Sequence, residues 1–459
     1  RLWHVRMRGV QPLRHDGAVR NVAFSPDQQW ILAWSKDGTA RLWRSADGTP
    51  VGEPMKQNNV WGVTFTKDGQ RILTWSRNGT ARLWQVKDGT PVGQPMTHDG
   101  AVSGAAFSRD EQQILTWSED GTARIWLAKN ARPVGEHLRH DRAVSGAAYS
   151  QDQQRILTWS RYGMARLWRA ADGTPVGQQM HKGLYGALFS HDGRRILTWG
   201  PDARQWRASD GSPEGSPLGN ENGISGASFS PDDQLVLTWS DSGTARLWQV
   251  ADGTSVGQPM RHGDKILDAQ FSHDGKRILT WSEAGTARLW QATDGMPIGK
   301  PLRHNDKIWG AQFNQDGQQI LSWSDDGTAR VWWAADATRI GPPLRHHDKV
   351  RVAQFSQNGQ TIWTLTEDGT MRLWNIEADW DLPTEHITLI LETLTGTTMD
   401  DFSNIRALDG PAWNKTRAQY LTLGAHHSRN CAFETANLYE VQKKLWGVQD
   451  NKSVGVAQH

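Results

Sequence analysis

The string Arg-x-Trp returns along the chain at Trp3, Trp43, Trp84, Trp126, Trp168, Trp206, Trp248, Trp290, Trp332 and Trp374. The steps between copies are 40, 41, 42, 42, 38, 42, 42, 42 and 42 residues. A fixed period of this length means one supersecondary unit copied in series, each copy too small to bury its own apolar faces. A second string, Ile-Leu-Thr-Trp-Ser or a near variant, precedes each of the last nine copies. It supplies Trp34, Trp75, Trp117, Trp159, Trp199, Trp239, Trp281 and Trp323, with Leu365 in the ninth. These two positions hold 18 of the 26 tryptophans, so the tryptophan excess belongs to the repeat.

The unit reads as an antiparallel meander. In residues 12 to 54 three turn signals, Asp27-Gln28, Asp37-Gly38 and Asp47-Gly48, lie about ten residues apart. Asp-Gly supplies the positive backbone dihedrals of tight hairpin turns. The apolar stretches between them, Ala18 to Phe24, Trp30 to Ser35, Ala40 to Trp43 and Pro50 to Pro54, are short enough for four strands, here a to d. Strand b of the second copy points Leu73 and Trp75 to one face and Ile72 and Thr74 to the other. Both faces carry bulk, so both need cover, and stacking such sheets around an axis provides it.

These residues resemble the WD40 repeat. In the third copy the matching frame is His98, Val102, Phe107, Ser108, Asp110, Ile114 to Ser118, Asp120 to Thr122 and Arg124 to Trp126. The resemblance covers residues 1 to about 376. It implies an all-β propeller of about nine four-stranded blades, with residues 377–459 a small, mainly helical extension. It also implies a structural hydrogen-bond chain in each blade: His98, Thr116 or Ser118, Asp120 and Trp126 in the third. The same chain is expected at His15, Asp37 and Trp43, at His304, Asp326 and Trp332, and at His346, Asp368 and Trp374. Other copies depart. Tyr162, Ser242 and Ala284 stand where the Asp is expected, Lys56 lies near the second copy's His position and Asn220 near the sixth's, and the fifth copy is shortened. The stretch Val5 to Leu13 looks like a c–d connection and fourth strand that would complete the blade ending at Trp374 and close one ring; the alternative is that the nine repeats belong to two rings of a longer parent.

Lys plus Arg is 51 against 49 for Asp plus Glu, a balance unlike that of a general nucleic-acid binder. One cysteine, Cys431, excludes an internal disulfide framework and fits a reducing, cytoplasmic setting. No apolar run approaches the roughly 20 residues that span a bilayer. The chain starts at Arg1, inside the repeat, as expected of a piece of a longer protein. After residue 377, Leu382 to Gly396, Pro411 to Leu423 and Glu434 to Trp446 read as helical, Thr384 being a candidate cap. This extension looks similar to the tails of large bacterial WD40 signalling proteins.

Catalytic motifs are missing: there is no His-Glu-x-x-His, no phosphate-binding Gly-x-x-x-x-Gly-Lys and no Gly-x-Ser-x-Gly. His426, His427 and Cys431 lack a second pair at metal-binding spacing, so neither a metal nor a cofactor is expected. Recurrence of His and Asp in most copies marks them as structural, and the repeated Arg of Arg-Leu-Trp is expected to stack on Trp or pair with a turn carboxylate.

The informative positions vary while the frame stays fixed. One follows the opening apolar residue of strand a: Arg20, Trp61, Ser103, Ser145, Tyr185, Ser225, Leu267, Trp309 and Arg351. A second precedes the b–c turn: Lys36, Arg77, Glu119, Arg161, Pro201, Asp241, Glu283, Asp325 and Glu367. By analogy with the family both lie near one rim, with a basic arc and an acidic arc that would orient a partner. Arg20, Trp61, Arg77, Arg161, Tyr185, Trp309 and Arg351 are the candidate anchors for a protein or peptide. The expected function is a non-catalytic interaction scaffold; the alternative is a spacer or autoinhibitory lid for an upstream domain.

Overall fold

The computed structural model describes residues 3–6, 19–27, 29–35, 38–45, 49–180, 182–219, 223–356, 359, 361–378, 397–399, 405–407, 411, 414–416 and 418–419. Nine four-stranded antiparallel sheets account for nearly all of them. Blade 3 is typical, with Val102–Phe107, Gln113–Ser118, Thr122–Leu127 and Pro133–Arg139 paired in chain order. In blade 9 the inner strands are Val350–Phe355, Thr361–Thr366 and Met371–Ala378, and the fourth is Trp3–Arg6. The N-terminus therefore supplies that strand, but from Trp3 rather than Val5. It can begin earlier because strand c runs on to Ala378, and Trp3 pairs with that residue.

Two compact units contain these elements: Gly9–Leu373, and Arg1–Arg8 with Trp374–His459. In the first, blade 1 meets blade 9. Ile31, Ala33 and Trp43 pack with Leu365 and Met371, and the Phe24 ring centroid lies 5.6 Å from that of Trp363. The nine blades thus close as one ring. In the second unit Thr397–Met399 pairs antiparallel with Ile405–Ala407, a hairpin absent from the helical reading of the extension. Its β-branched Thr397, Thr398 and Ile405 favour extended chain. Residues 411, 414–416 and 418–419 are helical, whereas Leu382 to Gly396 and Glu434 to Trp446 lie outside the described residues.

The core lies between blades. Ile72 and Leu73, on opposite faces of strand b, are each 0% exposed, as bulk on both faces requires. The strand c indole reaches back to the preceding blade: Trp126 packs with Leu73, Ala81, Leu83 and Met96. The strand b indole varies: Trp34, Trp239 and Trp281 are buried between blades as the strand c indoles are. Trp75, Trp117, Trp159, Trp199 and Trp323 are only half-buried, because each lies across strand a of its own blade near one end of the sheet.

That geometry explains a glycine. Gly62, Gly104, Gly146, Gly186, Gly226 and Gly310 each stand opposite the strand b Trp of the same blade. A Cβ on Gly104 would fall 2.1 Å from Cζ2 of Trp117. Blade 9 carries the reciprocal pair, Val352 opposite Leu365. Gly104→Val is expected to destabilise the protein by about 1–3 kcal/mol through overpacking. Adding Trp117→Leu should recover most of the loss, a non-additivity that denaturant midpoints of the two single variants and the double variant will measure.

Candidate functional site

Strand a contains a repeated irregularity. Val102 pairs with Ser118 and Gly104 with Trp117, so Ser103 is the extra residue of a β-bulge. The same shift isolates Arg20, Trp61, Ser145, Leu267, Trp309 and Arg351. Tyr185 occupies the equivalent place, its N–H donating to Trp199 O at 2.8 Å. A bulge re-aims its residue out of the ladder. The variable position of the sequence is therefore a bulge, and its side chains gather on one rim.

Trp61, Tyr185 and Trp309 are 43%, 42% and 42% exposed, and each sits in a cluster. The Arg77 guanidinium lies 3.8 Å from the Trp61 ring centroid and that of Arg20 5.2 Å. Tyr185 meets Tyr162 edge to face with centroids 5.5 Å apart, and Arg161 lies 5.2 Å from the Tyr162 ring. Trp309 donates its indole N–H to Asp325 Oδ1 at 2.6 Å, with Lys307 Nζ and Arg351 Cζ at 4.3 and 4.4 Å from its ring. Cation–aromatic stacking of this kind holds rings upright against solvent. Tyr162 stands at a turn and belongs to the rim. Sequence reading marked it only as a lost Asp, although an aromatic at a turn position was the available signal.

The two charged arcs differ in character. The acidic one is neutralised in series: Lys265 pairs with Asp241 at 3.2 Å, Lys307 with Glu283 at 3.4 Å, Lys349 with Asp325 at 3.5 Å and Arg351 with Glu367 at 2.7 Å. The three lysines come from the blade after the acid they meet, so they tie neighbours together. On the basic arc, Arg77 and Arg161 lie against aromatic rings instead. Lys36 lies outside the described residues.

The His chain is visible in its complete form in blades 3 and 8. His98 Nε2 is 2.8 Å from Thr116 Oγ1, which accepts the Trp126 indole N–H at 2.8 Å. Thr116, not Ser118, is thus the relay. The carboxylate at Nδ1 can only accept, so the imidazole proton resides on Nδ1 and the hydroxyl donates to Nε2. Nδ1 then faces Asp120 Oδ2 at 3.1 Å. Arg124 Nη2 approaches that oxygen at 3.4 Å and its Nη1 donates to Thr97 O of the preceding blade at 2.8 Å. Blade 8 repeats this with His304, Ser322, Asp326, Arg330 and Trp332. In blade 9 His346 Nε2 reaches Thr364 Oγ1 at 2.7 Å, Asp368 accepts from Thr366 and Thr370, and Trp374 is buried. Burial holds His98 and His346 down to a pKa of about 4. In blade 1 Trp43 is buried and strand b offers Ala33 in place of a hydroxyl; His15 and Asp37 lie outside the described residues.

Blade 2 corrects the sequence alignment. Gln57, not Lys56, takes the His position, its amide donating to Thr80 O at 2.9 Å while its carbonyl accepts from Thr74. The repeated Arg is structural as expected: Arg82, Arg166 and Arg288 lie 5.8, 6.0 and 5.8 Å from the following Trp rings. His426, His427 and Cys431 lie outside the described residues. Among the described residues no helix is long and apolar enough to cross a membrane.

The family described as "IFT122 first beta-propeller" matches residues 59–333, more than half of the chain, and that described as "WD domain, G-beta repeat" matches residues 10–44. No curated protein matches the chain. Among solved structures, the computationally designed Ika8 protein is similar with TM-score 0.55 at 17% identity, over 79% of this chain and 97% of its own. The C-terminal WD40 domain of Sif2 is similar with TM-score 0.54 at 20% identity, over 81% and 98%. At such identities the likeness concerns the fold.

Proposed function

The chain belongs to the WD40-repeat β-propeller family, and from that membership we propose that it is a non-catalytic scaffold whose protein partner seats on the bulge-side rim. Propellers of this family generally mediate protein–protein interaction. One observation carries the choice of rim. Of the large hydrophobic side chains exposed among the described residues, Trp61, Tyr162, Tyr185 and Trp309 stand there, and only Met296 stands elsewhere. Aromatic and Arg side chains held upright at a surface are the usual anchors of interfaces. The bulge aromatics fall in blades 2, 5 and 8, a third of the ring apart, so a partner spanning the mouth would meet one from any direction. The resemblance of residues 377–459 to bacterial tails supports a place as the interaction end of a larger cytoplasmic signalling protein.

The test is a pull-down with the chain and its Trp61→Ala/Trp309→Ala double variant. Loss of two anchors of about 2 kcal/mol each is expected to reduce retention of the specific partner at least tenfold, with the folded state intact. Unchanged retention would show that the rim is not the interface. No partner at all, with altered activity of a parent protein on removal of the ring, would favour a spacer instead.

A further inference from the structure

Blade 4 has the His chain without its carboxylate. His140 Nε2 is 2.6 Å from Thr158 Oγ1, which accepts the Trp168 indole N–H at 2.7 Å, the same relay that in blades 3 and 8 goes with the imidazole proton on Nδ1. In blades 3 and 8 that proton meets Asp120 or Asp326, with Thr122 or Thr328 beside it. Here Tyr162 and Met164 occupy those two positions. Among the described residues no side chain lies within hydrogen-bond distance of His140 Nδ1. The turn has also changed hands: Tyr162 is left-handed at φ 60°, where blade 3 uses Gly121 at φ 81°. A bulky residue held in that region marks a site that its surroundings over-determine.

The space vacated is open. A cavity of about 160 Å³ lies between His140, Arg142, Tyr162, Met164, Arg166 and Lys182. That is about five water volumes, enough for the end of a carboxylate side chain. Three cations line it with one acid, Asp141, whose side chain is solvent-exposed and 3.9 Å from Arg166 Nη2, so the lining carries a net positive charge. Arg166 keeps the position of Arg124, donating to Arg139 O at 3.0 Å, while its Nε is buried without a partner. Blade 7 provides the contrast. It too has lost the Asp, to Ala284, but His262 is 4% exposed and its Nδ1 lies 3.3 Å from Thr286 Oγ1. That blade has closed over the loss, and blade 4 has not.

We propose that this pocket is a receptor for a carboxylate from outside the chain, which takes the place that Asp120 and Asp326 fill in their own blades. The acid accepts from His140 Nδ1 and faces Arg166, Arg142 and Lys182, with Tyr162, which meets Tyr185 edge to face, forming one wall. Burial holds His140 down to a pKa of about 4, so near neutrality it is an uncharged donor. The source argued for is a Glu or Asp side chain of the partner, which rests on the rim reading above, because the pocket opens beside that rim's aromatic pair.

The experiment uses the full chain labelled at the histidine ring carbons and titrated with capped Gly-Glu-Gly, capped Gly-Gln-Gly and free glutarate. His140 is assigned with His140→Gln. The expected result is a saturable shift of the His140 resonance at millimolar Glu peptide, with binding at least tenfold weaker for the Gln peptide. Tyr162→Asp, which restores an internal carboxylate, should abolish the shift, whereas Tyr162→Phe should keep it. Binding of glutarate but not the Glu peptide supports the receptor and assigns it to a free acid, overturning the side-chain source. No shift with either acid, equal binding of the Gln peptide, or full binding by Tyr162→Asp overturns the proposal. None of these outcomes depends on Trp61 or Trp309, so failure here is separable from failure of the rim.

Discussion

Lowering the pH from 7 to 4 is expected to unfold the ring, with the loss of stability beginning near pH 6.5. Burial holds His98, His140, His262 and His346 to pKa values of about 4, and shifts His304 in the same direction. In the unfolded chain each returns to about 6.5. Between those values the unfolded state binds protons that the folded state refuses, so stability falls as pH falls. Each such histidine contributes about 3 kcal/mol across the window, and the four together about 12 kcal/mol. That matches the whole stability of an ordinary domain, about 5–15 kcal/mol. Below pH 4 the turn aspartates add to the loss, since Ser and Thr hydroxyls hold Asp68, Asp110 and Asp152 below the usual range. Denaturant midpoints at pH 7, 5.5 and 4.5 measure the slope. His262→Gln should flatten it, because Gln57 already does this work in blade 2. A midpoint constant over that range would mean that these imidazoles are solvated.

Trp126→Ala is expected to cost about 3–5 kcal/mol, the largest effect of any single truncation considered. The indole is 5% exposed and fills the space between blades 2 and 3 against Leu73, Ala81 and Met96. Its removal leaves a cavity that two rigid sheets cannot collapse, and it deprives Thr116 of a donor. Trp126→Phe keeps much of the volume but loses the N–H, so about 1–2 kcal/mol is expected. Trp309→Ala, at a side chain 42% exposed on the rim, should change stability by no more than about 0.5 kcal/mol. Urea midpoints of the three variants order these effects. Equal midpoints for Trp126→Ala and Trp309→Ala would contradict the packing described.

The meander was legible because its signals are local. Asp-Gly turns, two-residue alternation and a 42-residue step placed strands a to d and joined the N-terminal strand to blade 9. Exposure of the bulge residues Trp61, Tyr185 and Trp309 was legible too, since their position varied while the frame stayed fixed. The bulge itself was not, because one unpaired residue leaves no trace in composition. Nor was the pairing of Lys265, Lys307 and Lys349 with acids of the preceding blade, which depends on which loops meet across an interface. Gln57 was missed for Lys56 because a His position can be filled by any buried group that both donates and accepts. Which strand b indoles are buried was not legible either: Trp34, Trp239 and Trp281 are buried between blades, whereas Trp75, Trp117, Trp159, Trp199 and Trp323 are only half-buried.

The meeting of blades 1 and 9 differs from the other joints in what it lacks. Leu365 stands where neighbours have an indole, and Ala33 where they have a hydroxyl. This joint also links the two most distant segments of the repeat array, so it bears the greatest loop-closure entropy, and among the described residues it lacks these two groups. In a linear array of nearest-neighbour couplings, the weakest coupling parts first and the rest stay docked. The circle therefore behaves as an arc with a clasp: folding fastens it last, and partial unfolding releases it first.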